Sequence, residues 1–463
     1  MIRYRHPTGV HAVAGPPARF HTGDGGVVIT DEPLQRLWAA APCGTKTELA
    51  DRFASDASLE DIVPEALACL SEARLLERGA TGEELAATPW TSGRAVSALV
   101  IVSAMGELAW LEACLESLVA VQYEPLQIVV VDNASGAPVA AVVHRRCRDA
   151  RVLTVSARMN LARACNLAVT AADGEDFLFL NPDVSLRPGA LAHLVARARA
   201  GPRVAAGVPK TLFWFAPAFL NGIGNRISRE DWGTDNGIGH LDLGQFDGWR
   251  SAQSASLTIM LVPREAWEAV GPFDEAFPAY YEDAEWSYRA RMLGWHILAA
   301  PDAQALHVFG GYWTSPDGRL SAGKLRTAVH GRLRFTLLLP RLPLLADLCC
   351  RYARQDARNA FHDLRTGRRR HAASVCRGWA SILASAPEIV RKRWALQKRR
   401  ELTDATLFPP DSQMPRPLTE RNAPILTTDV IRREYAPLIR SGRTRPLPER
   451  PRPAPASGPP RRG

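Results

Sequence analysis

The protein has 463 residues, 46% of them hydrophobic and 23% charged, which excludes a disordered or low-complexity chain and implies two or three domains. No run of ~18 uncharged apolar residues occurs, so no membrane-spanning helix is expected, and Met1 to Phe20 lack the apolar core of a secretory signal. The 8 cysteines include no Cys-x-x-Cys pair, which argues against a zinc site or disulfide framework and fits a reducing, cytoplasmic compartment. The net charge of +9 is uneven. From Ser321 onward 30 Lys and Arg meet 11 Asp and Glu, whereas 27 meet 37 before that point. An acidic body with a basic C-terminal third implies an anionic partner, whether lipid surface, nucleotide or nucleic acid, or else a solvated Arg-rich face.

In chain order, residues 1–88 predict a small module. Val27-Val28-Ile29 reads as a strand after a Gly-rich turn, Gly23 to Gly26. Helical spacing follows at Leu34, Leu37 and Trp38, at Leu49 and Phe53, and from Ile62 to Leu75. One strand and three short helices suggest a small helical or winged-helix-like module, and Thr88 to Gly93 reads as a linker.

Residues 95–315 alternate strands and helices. Ala98 to Val102, Leu126 to Val131 and Phe177 to Leu180 are continuous apolar strands. Helical faces lie at Leu108 to Leu118 and Leu186 to Ala200. Uninterrupted apolar strands separated by helices predict an α/β fold, a doubly wound and mostly parallel sheet covered on both faces. Residues 316–408 predict basic helices, with Leu325, Val329 and Leu333 four apart. Leu337 to Leu345 is too short to span a bilayer but long enough to lie on one. Residues 409–463 are rich in Pro and Arg and predict a disordered tail, most strongly from Arg445.

Ligands of open α/β sheets bind at the carboxyl ends of the strands. Asp132 follows one apolar strand and Asp183 another. A carboxylate there suits a base, a ribose or a hard divalent cation, though a turn or helix cap uses Asp as well. Ala284 to Leu293 reads as a helix with Asp283 at its N-terminus, where the dipole favours the ionised form and where a capping Asp also sits. Trp232, Asp235 and Asp242 fall in a Gly-rich stretch that reads as an acceptor loop or an ordinary surface loop.

Six segments in order resemble glycosyltransferase family 2, whose catalytic domains have the GT-A fold. They are Val131 to Ser135, Asn160 to Asn166, Leu180 to Asp183, Val270 to Glu275, Tyr280 to Arg289 and Pro301 to His307. The subgroup most similar transfers rhamnose or related sugars in bacteria, and Asp283 to His307 also resembles galactofuranosyltransferases. The resemblance implies an inverting transfer from a nucleotide-diphospho-sugar. It places Asp132, Asn133, Arg158, Asn160, Asn181 and Asp183 at the donor, and a magnesium or manganese ion on Asp183 and His307. It makes Asp283 the general base with Glu282 the alternative, and puts Glu285 and Trp286 against sugar. Asn181 stands where the family's motif often has a first Asp, Leu161 where it has Gly, and the aromatic usual after the first strand is missing.

The implied acceptor is a polysaccharide or lipid-linked glycan at an anionic membrane surface, with the protein cytoplasmic or peripheral. Nucleic acid is not an implied partner. The N-terminal module resembles PqqD-like domains that bind precursor peptides, which leaves a peptide acceptor open. A nucleotide-sugar-binding protein without turnover is the non-enzymatic alternative.

Overall fold

The computed structural model describes residues 4–22, 26–43, 46–78, 90–227, 233–309, 320–409, 416–420 and 423–444. The first module holds β1 (Tyr4–Arg5), β2 (His11–Val13), β3 (Ala18–His21), β4 (Val27–Thr30), α1 (Glu32–Ala40), α2 (Lys46–Arg52), α3 (Val63–Glu72) and β5 (Glu77–Arg78). The expected strand and helices are present, and an antiparallel β2-β3-β4 sheet replaces the lone strand. All of β2 is exposed, so its sequence carries no alternation to read. Asp31 caps α1, accepting from the Leu34 N–H at 3.1 Å, and Leu34, Leu37 and Trp38 turn inward.

The central sheet has nine strands. In chain order its elements are β6 (Trp90–Val102), α4 (Leu108–Ala120), β7 (Tyr123–Asp132), α5 (Val139–Arg146), β8 (Arg151–Thr154), α6 (Leu161–Thr170), β9 (Asp176–Leu180), β10 (Val184–Leu186) and α7 (Ala190–Ala198). There follow β11 (Val204–Phe213), β12 (Ala216–Gly222), the separate hairpin β13 (Asn225–Ile227) and β14 (Gly233–Asp235), then β15 (Ile259–Pro263), α8 (Arg264–Val270), α9 (Glu282–Met292) and β16 (His296–His307). Strand order is β10-β16-β11-β15-β9-β6-β7-β8, with β12 paired to β11. The α/β class is as expected, but the sheet is mixed. β8, β7, β6 and β9 are parallel, whereas β15 runs against both β9 and β11. Alternate residues of each buried strand feed two cores. Leu99, Val129 and Phe179 pack towards α6, α8 and α9, and Val100, Val130 and Leu178 towards α4, α5 and α7. Each such burial contributes about 1.5–3 kcal/mol.

The C-terminal helices are α10 (Ala322–Leu338), α11 (Leu342–Arg365), α12 (Arg369–Ala384), α13 (Ala386–Lys398) and α14 (Asp404–Leu407). Buried Arg334 on α10 clamps Asp274 at 2.6 Å and Glu388 at 2.8 Å, and Lys392 on α13 also reaches Asp274 at 2.6 Å. These bonds tie the helices to the loop between α8 and α9.

The expected disorder of residues 409–463 is corrected for 416–444. That segment forms β17 (Thr419–Glu420), β18 (Ala423–Pro424), α15 (Thr428–Val430), a π turn (Ile431–Tyr435) and α16 (Ala436–Arg440). Its Leu418, Leu426, Ile431 and Tyr435 are buried in one core with Phe20, Leu34 and Leu67 of the first module and Phe219 and Leu241 of the central one. Asp31 accepts from the Thr428 N–H at 2.7 Å and hydroxyl at 2.6 Å, so one carboxylate caps two helices 397 positions apart. Pro and Arg dominate the composition, and only these few apolar residues close the core. The expected tail from Arg445, residues 88–89 of the expected linker and the Gly23–Gly25 turn lie outside the described residues, and residues 90–93 of that linker open β6.

Candidate functional site

The carboxyl ends of β6, β7 and β9 meet at one edge of the sheet. Asp132 closes β7, in register with Val102 of β6 and Thr154 of β8. Its Oδ1 accepts from the Ser135 N–H at 3.0 Å and hydroxyl at 2.6 Å, leaving Oδ2 outside that turn. Asn133 is buried. Its amide donates to Ser103 Oγ (3.1 Å) and the Met159 carbonyl (3.0 Å) and accepts from the Met159 N–H (2.8 Å). Both of its donor hydrogens are used, so Asn133 binds two loops together rather than reaching a ligand. Arg158 is exposed beside this edge and close enough to Glu107 to favour its charged form. Glu107, absent from the sequence reading, folds the loop after β6 by accepting from the Ser103 and Ala104 N–H groups at 2.6 and 3.1 Å.

Asp183 and His307 are brought together by the antiparallel pairing of Val184 with His307, and the Val308 N–H donates to the Asp183 carbonyl at 3.1 Å. His307 Nδ1 lies 2.7 Å from Asn221 Oδ1. A carboxamide oxygen only accepts, so Nδ1 carries the hydrogen and Nε2 presents a lone pair. That Nε2 is 3.6 Å from Asp183 Oδ2. Burial lowers the imidazole to about 4, so it is neutral. Burial, reinforced by Glu107, raises the Asp183 carboxyl to about 7. A lone pair and a carboxylate therefore face each other in a desolvated place, an arrangement that fits a hard or borderline divalent cation. Asn221 fixes the tautomer, as outer partners of metal-bound histidines do. Its position in Asn-Gly-Ile-Gly-Asn reads only as a turn, with no local signal of this role. Asn181 is half-buried and lies two residues before Asp183. Among the described residues no three His, Cys, Asp or Glu gather as a metal cluster.

Asp283 lies in the first turn of α9. Its Oδ2 accepts from the Leu257 N–H at 3.0 Å and its Oδ1 from the Ala284 N–H at 2.7 Å. Burial raises its carboxyl, and these backbone donors oppose the rise. Glu282 is 5% exposed, and its Oε2 has no hydrogen-bond partner. Burial and then Asp283 push Glu282 up to about 8. The two carboxyls oppose each other's ionisation, and the backbone donors on Asp283 favour its charged form.

The structure corrects two expected sugar contacts. Glu285 is buried against Arg289 at 2.8 Å, and Trp286 is fully buried with its indole N–H on the Gly271 carbonyl at 2.8 Å. Both fix the 270–273 loop, because α9 turns that face into the core. Asn160 caps α6 through the Arg163 N–H and donates to the Glu275 carbonyl at 2.7 Å. Asn166 exchanges bonds with Phe273 at 3.0 Å. The Asn160–Asn166 segment thus holds the loop preceding Asp283. Asp242 is also structural, neutralising fully buried Lys210 at 3.1 Å. Trp232 lies outside the described residues.

A recess opens beside these groups, lined by Asn221, Gly222, Asp235, Ser256, Thr258 and His307 among others. It joins the His307 pair to Asp283 through Ser256, which hydrogen-bonds the Asp283 carboxylate.

Carboxylates at the carboxyl ends of parallel strands, beside a polar recess, mark where an open α/β sheet binds its ligand. Residues 99–214, from β6 to β11, match the family described as Glycosyl transferase family 2. The chain carries a family 2 glycosyltransferase domain and is a glycosyltransferase. A relative, the N-acetylglucosaminyl-diphospho-decaprenol L-rhamnosyltransferase of Mycobacterium tuberculosis, is 29% identical over 259 residues, 50% of this chain and 80% of that protein. Among solved structures, GalNAc-T7 with UDP, GalNAc and Mn2+ matches at 14% identity and a TM-score of 0.42, over 53% of this chain and 48% of that one. The mannosyltransferase PcManGT from Pyrobaculum calidifontis, with GDP-Man and Mn2+, matches at 17% identity and a TM-score of 0.39, over 79% of this chain and 92% of that one.

Proposed function

We propose that the protein moves a sugar from a nucleoside-diphosphate donor to a hydroxyl of a lipid-linked or polysaccharide glycan, with inversion, at an anionic membrane face. The observation that carries this is the neutral His307 Nε2 facing Asp183 Oδ2 at 3.6 Å beside the recess. Asp183 and His307 would hold magnesium or manganese, and the ion when bound supplies positive charge against the donor's diphosphate. Asp132 keeps one carboxylate oxygen for the nucleobase, and exposed Arg158 adds charge at the same edge. Asp283 takes the proton of the acceptor hydroxyl as its oxygen bonds to the anomeric carbon and the bond to the diphosphate oxygen breaks. Its two backbone hydrogen bonds aim the carboxylate and favour its charged form.

The C-terminal helices support the membrane side of this reading. Between 342 and 400 there are 14 Lys and Arg and 4 acidic residues. All four acids are already engaged within the chain: Asp347 with Arg351, Asp356 with Arg332, Asp363 with Arg368, and Glu388 with Arg334. Arg354, Arg358, Arg377 and Arg391 face outward together with Leu383 (73% exposed), Val390 (65%) and Trp394 (63%). Large exposed apolar side chains among cations suit an anionic lipid surface. No helix of the described residues is long and apolar enough to cross a membrane.

The test is a thermal-shift panel of nucleoside diphosphates and nucleotide-sugars with and without manganese, followed by donor hydrolysis. Metal-dependent stabilisation by one nucleoside diphosphate, and hydrolysis of its sugar conjugate, are expected. Stabilisation by none of them removes the proposal.

A further inference from the structure

The recess contains two polar groups that the chemistry above does not use. Asn221 is 4% exposed; its Oδ1 is occupied by His307, and its Nδ2 is buried without a partner among the described residues. Asp235, on β14, is half-buried and lines the same recess, and its carboxylate has no hydrogen bond or ion pair among the described residues. It also faces Asp283, for burial and then the Asp283 charge raise its carboxyl to about 7. The backbone of β12 makes room for it. A Cβ on Gly222 would stand 3.0 Å from the Asp235 Cβ, so a side chain there would push this carboxylate away from the strand. A buried amide donor without a partner among the described residues and a half-buried carboxylate share this recess with the Ser256 and Thr258 side chains along its wall, a set that an apolar ligand would leave unsatisfied.

We propose that Asp235 and Asn221 form a subsite that reads neighbouring hydroxyls of a sugar ring, Asn221 Nδ2 donating to one oxygen and the Asp235 carboxylate accepting from the next hydroxyl. The subsite rests on the glycosyl-transfer reading and adds to it the residues that choose the sugar. Its position between the His307 pair and Asp283 is where the two sugars of a transfer meet, so the ring is either the one being moved or the one receiving it. Loss of a hydrogen bond to a charged group at such a place lowers affinity by roughly tenfold or more.

Full-length wild type and Asp235→Asn are titrated with the nucleoside diphosphates UDP, dTDP and GDP and with their sugar conjugates, in the presence of manganese. Acceptor KM is then measured with the donor that binds. Asp235→Asn keeps its affinity for the bare diphosphate, which doubles as a check that the variant is folded. If the ring belongs to the donor, the sugar conjugate weakens about tenfold or more. If it belongs to the acceptor, donor affinity holds and acceptor KM rises by a similar factor. Gly222→Ala, which displaces Asp235 without removing it, shows a smaller loss in the same measurement. Unchanged sugar-conjugate affinity and unchanged acceptor KM in Asp235→Asn, with diphosphate binding intact, overturn the subsite alone. Failure of wild type to bind any of the three diphosphates overturns the transfer reading and the subsite with it.

Discussion

Asp183→Asn should stabilise the protein while disabling it. The carboxyl rises from 3.8 to about 7 on folding, so folding a chain with an ionised Asp183 is penalised. At ~1.4 kcal/mol per pH unit this is a penalty of roughly 4 kcal/mol at pH 8. Asparagine keeps the shape and removes the charge, so about 2–4 kcal/mol should be recovered, and Tm should rise by a few degrees in a chain of this size. The sign follows from linkage. A raised folded pKa gives stability that is fully present below the unfolded pKa of 3.8 and lost as pH rises through about 7. The gain of the variant should therefore be near zero at pH 4 and complete by pH 8. Manganese should raise the Tm of wild type but not of the variant. Calorimetric melts of both proteins at pH 4, 6 and 8 decide the matter. A variant that melts at or below wild type at pH 8, or gains equally at every pH, refutes the claim that Asp183 is a desolvated charge awaiting a cation.

Asp283→Asn should leave diphosphate affinity near wild type and lower turnover by about 10²-fold or more, whereas Glu282→Gln should lower it far less; parallel loss of binding and turnover in Asp283→Asn would make it a donor ligand. Val390→Ser with Trp394→Ser should reduce co-sedimentation with anionic vesicles and leave soluble donor hydrolysis unchanged. Raising salt should release wild type as well, since exposed charges are screened within ~10 Å at 0.1 M. Tyr435→Phe leaves the buried Leu241 N–H without the acceptor it now has at 2.9 Å. A loss of about 1–3 kcal/mol is expected in a denaturant melt, with donor KM unaffected.

The strands legible in the sequence were those buried on both faces. Val129 to Val131 and Phe177 to Leu180 contain nothing but apolar residues, and their ends located Asp132 and Asp183. β11 escaped notice because Pro209 and Lys210 interrupt it. Lys210 is fully buried and neutralised by Asp242 and Asp247, partners that sequence spacing does not reveal. The Tyr280–Arg289 segment gave the place of Asp283, but a stretch in which every residue except Ala284 is polar or aromatic does not say which face is inward. Trp286 and Glu285 proved to be packing residues for that reason. Asn221 and Asp235 are assembled by strand pairing and by a hairpin, and such neighbours have no local signature. The closing segment 416–444 was misread because composition averages hide a few well-placed apolar residues.

That closing segment bears on how the protein is made. Ribosomes release a chain in order, at about 5–20 residues per second. The first module emerges early, but the residues that complete its core, Leu426, Ile431 and Tyr435, lie almost four hundred positions later. A wait of roughly 20–80 seconds follows, during which Phe20, Leu34 and Leu67 lack part of their cover. Nascent chains should therefore depend on a holding chaperone over this interval, and a message truncated before codon 426 should yield a product that quality-control proteases recognise by its open N-terminal core, even though every residue at the sugar-transfer edge has already been translated.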